Sequence, residues 1–318
     1  MKYSIGVDCG GTKVAYGLFN NQHELIDRRE HKTKITGTPE EILQPIVDTI
    51  ISLTNDHNLK TSDLHGVGIA FPSFIDFDKG YIHKTTNIVP LKNFYARDYF
   101  EKQLQTKVAI DNDSHVLALA EHRFGAGKEF RHMLYCCIST GISSGIIINN
   151  QLFRGSYGAA GESGHMLMKP DEGILCGCGN KGCFMSLTSG SMIVRHIQNW
   201  IAEGEPTIML EMADNDPQKI SAITIEKAVL QGDALAIRAL EQMAYYLGVW
   251  AFNLYQTLNI NCYVLGGGMT KFGEMLFEPM RNTFYSYLKD QGDNPVYFKI
   301  AALGDDFGII GAEQLLFE

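Results

Sequence analysis

Apolar and small residues alternate from Tyr3 to Val7, then give way to the polar turn Asp8-Cys9-Gly10-Gly11-Thr12-Lys13. A second apolar run, Val14 to Phe19, ends at the polar pair Asn20-Asn21. The same succession returns further on: apolar Met133 to Ile138, the turn Ser139-Thr140-Gly141-Ile142-Ser143-Ser144-Gly145, apolar Ile146-Ile147-Ile148, and the pair Asn149-Asn150. Each copy predicts a strand, a tight turn, a second strand and a hairpin turn. Glu24 to Arg29 predicts a third strand. Pro39 to Thr54 sets Ile42, Leu43, Ile46, Val47 and Ile50 at helical spacing, behind Thr38 as cap and Pro39 as first helical residue. Gly66 to Ala70 reads as a buried strand stopped by Pro72, and Phe94 to Gln105 as a helix. Lys107 to Ile110 is a short strand ending at Asp111-Asn112-Asp113, and Ser114 to Phe124 an apolar helix broken by Gly125-Ala126-Gly127.

Past Asn150 the chain is irregular and Gly-rich as far as Gly190. Helical patterns follow at Ser191 to Ala202, Ile225 to Val229 and Asp233 to Leu258. Val264-Leu265 then predicts a strand running into Gly266-Gly267-Gly268, and Gly308 to Phe317 an apolar helix. Three strands, a helix and more strands, with the pattern repeated, predict an α/β fold of two ribonuclease-H/actin-like domains around an interdomain cleft. The Gly125 to Gly127 break puts the boundary after residue 124. The expected domains are 1–124, completed by the C-terminal helix at about 305–318, and 125–304 with a metal-binding loop.

At 318 residues, 45% hydrophobic and 20% charged, the chain has the make-up of a soluble globular protein with room for two domains. A formal charge of −9 argues against a nucleic-acid surface. No apolar run reaches membrane-spanning length, and the chain opens on a strand rather than an export signal. Seven cysteines, an odd number, then read as reduced thiols of a cytoplasmic protein.

The repeated turns are candidate phosphate sites, because glycine lets backbone N–H groups close on an anion and a Thr hydroxyl adds a donor. A glycine-rich hairpin is also ordinary structure. The repetition favours phosphate, as does Asp8, whose carboxylate would repel phosphate unless Mg²⁺ lay between them. Neither turn has P-loop spacing, and no G-x-G-x-x-G opens a helix. Asp113, at a strand end and a helix start, is either a base for a hydroxyl proton or simply the helix cap. Asn87 and Asn112 suit either a polyol or a turn, and Glu162 is a second candidate carboxylate or a surface charge. His165, Cys176, Cys178 and Cys183 make a complete Cys₃His zinc set, with glycines that let a short loop wrap an ion; free thiols beside a redox-active C-x-C are the alternative. A closed set of four shapes a site and leaves no open position for activating water.

Asp8-x-Gly10-Gly11-Thr12-Lys13, Asn112-Asp113, Thr140-Gly141, Glu162-x-Gly164-His165 and Cys176-Gly-Cys178-Gly-x-x-Gly182-Cys183 follow one another as in the ROK family of repressors, open-reading-frame proteins and sugar kinases. The chain resembles that family from Tyr3 to the Gly-x-x-Gly-Ala run at Gly308 to Ala312. The resemblance implies a cytosolic, ATP-dependent hexose kinase, usually a homodimer, phosphorylating the sugar 6-hydroxyl. It implies Asp113 as base, Asn87, Asn112, Glu162 and His165 as sugar contacts, and structural zinc on the four ligands. Gly10, Gly11, Thr12, Lys13, Thr140 and Gly141 would hold phosphates, Asp8 would hold Mg²⁺, and Gly266 and Gly267 would line the adenosine side. The family's repressors carry a DNA-binding domain ahead of this fold, for which a first strand at Tyr3 leaves no room. One position departs from the pattern: Met185 stands where the family has a Glu contacting the sugar near its anomeric end. A thioether accepts no strong hydrogen bond, so a substituted or N-acetylated sugar, such as a β-glucoside or N-acetylhexosamine, is an alternative substrate. A non-catalytic sugar sensor is the alternative of another class. Ser73, after Pro72, replaces a Gly common in the family's kinases.

Overall fold

The N-terminal alternation forms β1 (Tyr3–Cys9) and returns antiparallel as β2 (Lys13–Phe19), with β3 (Leu25–Lys32) on its far side. These strands, like all that follows, belong to a computed structural model describing residues 2–289 and 294–318. Helix α1 (Pro39–Asp56) begins in a capping box: Thr38 Oγ1 accepts from the Glu41 N–H, and the Glu41 carboxylate accepts from the Thr38 N–H. Its buried face, including Ile42, Leu43, Ile46, Val47 and Ile50, joins one core with Ile5, Val7, Tyr16 and Leu18. Strand β4 (Leu64–Phe71) lies parallel to β1.

β5 (Ser73–Asp76), β6 (Tyr81–Thr85) and β7 (Lys92–Tyr95) then form a separate antiparallel sheet. The sequence reading missed it, because its strands are short and only half-apolar. Phe94 and Tyr95 belong to this sheet, and helix α2 starts later (Ala96–Leu104). Strand β8 (Val108–Asn112) runs parallel to β4 and feeds α3 (Asp113–Arg123). The first large sheet has the order β3-β2-β1-β4-β8.

The second copy of the hairpin is β9 (Met133–Ile138) and β10 (Ile142–Ile148), followed by the short β11 (Gln151–Leu152). The helices α4 (Phe184–Thr188), α5 (Gly190–Ala202), α6 (Met209–Met212), α7 (Ala222–Leu230) and α8 (Ala234–Leu258) come next. After them come β12 (Cys262–Gly266), α9 (Glu274–Tyr287), β13 (Tyr297–Ile300) and α10 (Phe307–Gln314). The second large sheet is ordered β11-β10-β9-β12-β13, the succession of the first. The sequence reading missed α9, where Pro279 interrupts the helical pattern. Four buried residues, Leu276, Phe277, Met280 and Phe284, fix this helix against α8, close to Gly248.

Packing divides the chain into two compact units. One comprises Met1–Tyr135, Gly145–Gly161 and Ala301–Glu318, the other Cys136–Ser144 and Glu162–Ile300. Residues 125–135 and 145–161, which the sequence assigns to the second domain, thus pack in the first unit. In that unit α10 lies directly on the sheet, because paired Gly6 and Gly68 carry no side chain there. A Cβ at either would run into the Ile309 or Ala312 carbonyl.

Candidate active site and metal centre

In the first unit the turn between β1 and β2 closes by a hydrogen bond from the Gly10 N–H to the Lys13 carbonyl (3.0 Å). Thr33 braces it, donating its hydroxyl to the Gly10 carbonyl (2.7 Å) and its N–H to the Thr12 carbonyl (2.9 Å). Gly11 meets Asn87: a Cβ there would stand 2.6 Å from the Asn87 Cβ. Close approach, rather than an unusual backbone angle, is therefore what requires glycine at 11, and the turn and Asn87 are brought together. Lys13 reaches out to Glu30 (3.2 Å) on the exposed face. Asp8 sits against Gly308 in the first turn of α10, where a side chain would strike its carboxylate. Burial raises the Asp8 carboxyl above the usual range, with Lys13 pulling it back. A divalent cation with most of its own water shell would fit this single carboxylate and favour its ionised form.

At the C-terminal end of β8 the capping question has a clear answer. Asn112 is the N-cap of α3, accepting from the Ser114 N–H (2.8 Å) through Oδ1, while its Nδ2 donates to the Ser73 carbonyl (2.9 Å). Asp113 is the first helical residue, with Oδ1 2.9 Å from the Ser114 N–H. Asn112 keeps one amide hydrogen and one lone pair beyond these bonds, enough to meet a hydroxyl. The sequence reading overlooked Asp111, His115 and Arg154, which form a buried charged cluster beside Asp113. The trace they left was an Asp and a His four residues apart across a strand-to-helix junction.

In the second unit the turn between β9 and β10 closes from the Ser139 N–H to the Gly141 carbonyl (2.9 Å). The start of α5 abuts it: the Gly190 N–H donates to the Ser139 carbonyl (2.8 Å) and Ser191 Oγ to the Thr140 carbonyl (2.6 Å). Gly267 has φ +90°, and a side chain on it would strike the Ile138 carbonyl, so Gly266-Gly267 and Thr140-Gly141 are neighbours at one end of the sheet. Half-buried Met185, on α4, brings its methyl group to 3.5 Å from the position of a Cβ on Gly141.

The same unit assembles the four metal-ligand candidates. One ligand atom each from His165, Cys176, Cys178 and Cys183 lie within 4.8 Å of one another. Cys176 Sγ is 3.5 Å from His165 Nδ1, and Cys178 Sγ is 3.5 Å from Cys183 Sγ. These spacings suit a tetrahedral zinc, whose bonds of about 2.3 Å to sulfur set ligands roughly 3.8 Å apart. Gly179 (φ +94°) and Gly182 (φ +76°) turn the loop around the site, and the Met168 N–H bonds the Gly182 carbonyl (2.8 Å). The Asn180 backbone N–H lowers the Cys178 thiol, whereas burial among its neighbours pushes Cys183 up to about 12. His165 turns its other nitrogen, Nε2, toward Glu162 (3.9 Å). The residues fit zinc.

The whole of 4–318 matches the ROK family, and the chain belongs to that family. It is 32% identical over 315 residues to the glucokinase of Halalkalibacterium halodurans, covering 99% of this chain and 95% of that protein. Among solved structures it is similar to a ROK hexokinase from Thermus thermophilus, at TM-score 0.82 and 26% identity over 99% of this chain and 98% of that one. It is also similar to a ROK family glucokinase from Streptomyces griseus in complex with glucose and AMPPNP. There the TM-score is 0.77 and the identity 29%, over 98% of each chain.

Proposed function

We propose that this protein is an ATP-dependent sugar kinase that transfers the γ-phosphate of ATP to a hexose, at the 6-hydroxyl. The observation that carries the catalytic assignment is the division of labour at the start of α3. Asn112 holds the N-cap position, so capping does not by itself call for a carboxylate at Asp113, whose Oδ1 shares the same Ser114 N–H. In the reaction Asp113 takes the proton of the sugar hydroxyl as its oxygen attacks the γ-phosphorus. The bond from that phosphorus to the bridging oxygen breaks, ADP leaves, and Asp113 holds the proton. Asn87, Asn112, Glu162 and His165 hydrogen-bond the sugar. The turns at Gly10 to Lys13 and Thr140-Gly141 receive the phosphates through backbone N–H groups, and Gly266-Gly267 lie along the adenosine.

Mg²⁺, held near Asp8 through water, would offset charge on the phosphates. Zinc on His165, Cys176, Cys178 and Cys183 would fix the His165 ring by Nδ1 and leave Nε2 for the sugar. A homodimer is the assembly that the family resemblance implies, and sedimentation checks it. The functional test is ADP release from ATP against a panel of hexoses, amino sugars and glycosides. Release with at least one hexose is expected, and none with any sugar would leave the non-catalytic sensor as the better reading.

A second reading concerns which hexose derivative is used, and Met185 favours it. Met185 stands where the family resemblance implies a carboxylate near the sugar's anomeric end, and a thioether there makes that side less polar. A substituted or N-acetylated sugar is then accepted at the cost of free glucose.

A further inference from the structure

Asp111 and His115 are both buried, at 1% and 2% exposure. His115 Nδ1 lies 2.8 Å from Asp111 Oδ1, and its Nε2 lies 2.8 Å from the Ala160 carbonyl oxygen. Asp111 Oδ2 receives Arg154 Nε at 2.7 Å, and Oδ1 also receives the Asn112 N–H at 2.7 Å. With a guanidinium and a backbone N–H already donating to it, Asp111 is ionised and can only accept. The Ala160 carbonyl can likewise only accept. Both ring nitrogens of His115 must therefore carry protons, since a neutral ring would leave one acceptor facing a bare nitrogen. The charges facing the ring are Asp111, Arg154 and, beyond Arg154, Glu318 (3.7 Å from Arg154 Nη1). Arg154 is stacked on the Phe77 ring, its guanidinium carbon 3.7 Å from the centroid. Burial opposes a charge on His115, but Asp111 and the Ala160 carbonyl outweigh it and raise its pKa.

We infer that His115 is a positioning residue held as an imidazolium, whose two protons tie the 154–161 loop to the strand and helix that carry Asn112 and Asp113. The loop is gripped twice, by Arg154 through Asp111 and by Ala160 through His115, and it runs on directly into Glu162. The catalytic consequence rests on the kinase reading; the charge state and the tie do not. Loss of one His115 proton frees the Ala160 end of the loop while Arg154 still holds the other. Sugar binding then weakens more than turnover.

The charge state is tested by nitrogen NMR of wild-type protein labelled with ¹⁵N-histidine, titrated from pH 6 to pH 10. One of the ten histidines keeps both nitrogens protonated well above the ordinary value of about 6.5, and its signal is missing from His115→Gln. If all ten are neutral by about pH 8, the inference is overturned. In His115→Gln, the KM for the sugar rises about tenfold or more, with kcat changed by less than about threefold. An alkaline fall of kcat/KM is expected in the wild type and is absent from the variant. A folded variant with unchanged KM and an unchanged pH profile also overturns the inference. Absence of turnover by the wild type with every sugar would instead count against the kinase reading, and the NMR titration would still decide the charge state.

Discussion

Asp113→Asn keeps the hydrogen-bonding shape of the side chain but removes its basicity. It is expected to lower kcat by about a hundredfold to ten-thousandfold, the range for a lost general base, while sugar binding measured by calorimetry stays near wild type. Near-normal turnover would remove Asp113 from the mechanism. Met185→Glu puts a carboxylate beside Gly141. If the side chain faces the sugar near C1, preference should shift toward free glucose by about tenfold to a hundredfold in the ratio of kcat/KM values, the equivalent of one charge-assisted hydrogen bond. An unmoved ratio would show that Met185 only fills space. The sequence left Asp113 poised between base and cap, because either use suits an Asp where a strand meets a helix. Geometry alone placed its neighbour Asn112 at the cap position, with both side chains accepting from the Ser114 N–H.

At the scale of elements, the glycine-rich stretch 153–183 contains little regular structure, which leaves few backbone hydrogen bonds of its own to hold its second half. Zinc would supply that missing cohesion. Metal analysis of purified protein should find about one zinc per chain, and Cys178→Ser should lose it and weaken sugar binding through His165. Active wild-type protein without metal would contradict this. A second device holds the end of α3. The buried Glu121 carboxylate accepts from the backbone N–H groups of Ala126 (2.8 Å), Ala302 (3.1 Å) and Leu303 (2.9 Å). Glu121→Met keeps the bulk and removes the acceptors, orphaning three donors. A loss of about 3 kcal/mol or more in denaturant unfolding is expected, at 1–3 kcal/mol for each buried unsatisfied group. A change under about 0.5 kcal/mol would mean that water replaces the carboxylate.

For the whole molecule, the buried Asp111–His115 pair makes stability depend on pH from two sides. Burial opposes the charge on each, yet their mutual attraction lowers Asp111 and raises His115. The lowered Asp111 contributes stability above its unfolded value of 3.8, lost as pH falls through its folded value. The raised His115 contributes fully below its unfolded value of 6.5, and that contribution is lost as pH rises through its folded value. Between the two lies a plateau. Denaturant unfolding of the wild type should show an alkaline decline that His115→Gln flattens. Equal slopes in the two proteins would remove His115 from the linkage.

Periodicity and turn chemistry were enough to foresee the doubled hairpin, α1 with its Thr38 cap, α3, α8 and the terminal helix, because each rests on contacts within a few residues. The Cys₃His set was legible for the same reason: its ligands fall within one short loop, and their residue types have few other uses together. Other features depend on segments far apart in the chain. Gly6 and Gly68 are glycine because a helix near the far end of the chain lies against them, and Gly11 because Asn87 does. The β5–β7 sheet exists because strands too short to signal themselves pair with one another. Pro279 hid α9, which is fixed by packing on α8. Asp111, His115 and Arg154 carried no motif, since an ion pair between a strand and a loop 43 residues later leaves no spacing to read. Local chemistry therefore wrote the elements and the Cys₃His loop into the sequence. Which charges face each other in the core, and which residue takes the cap position of α3, only the folded chain decided, because those outcomes are set by distance in space rather than along the backbone.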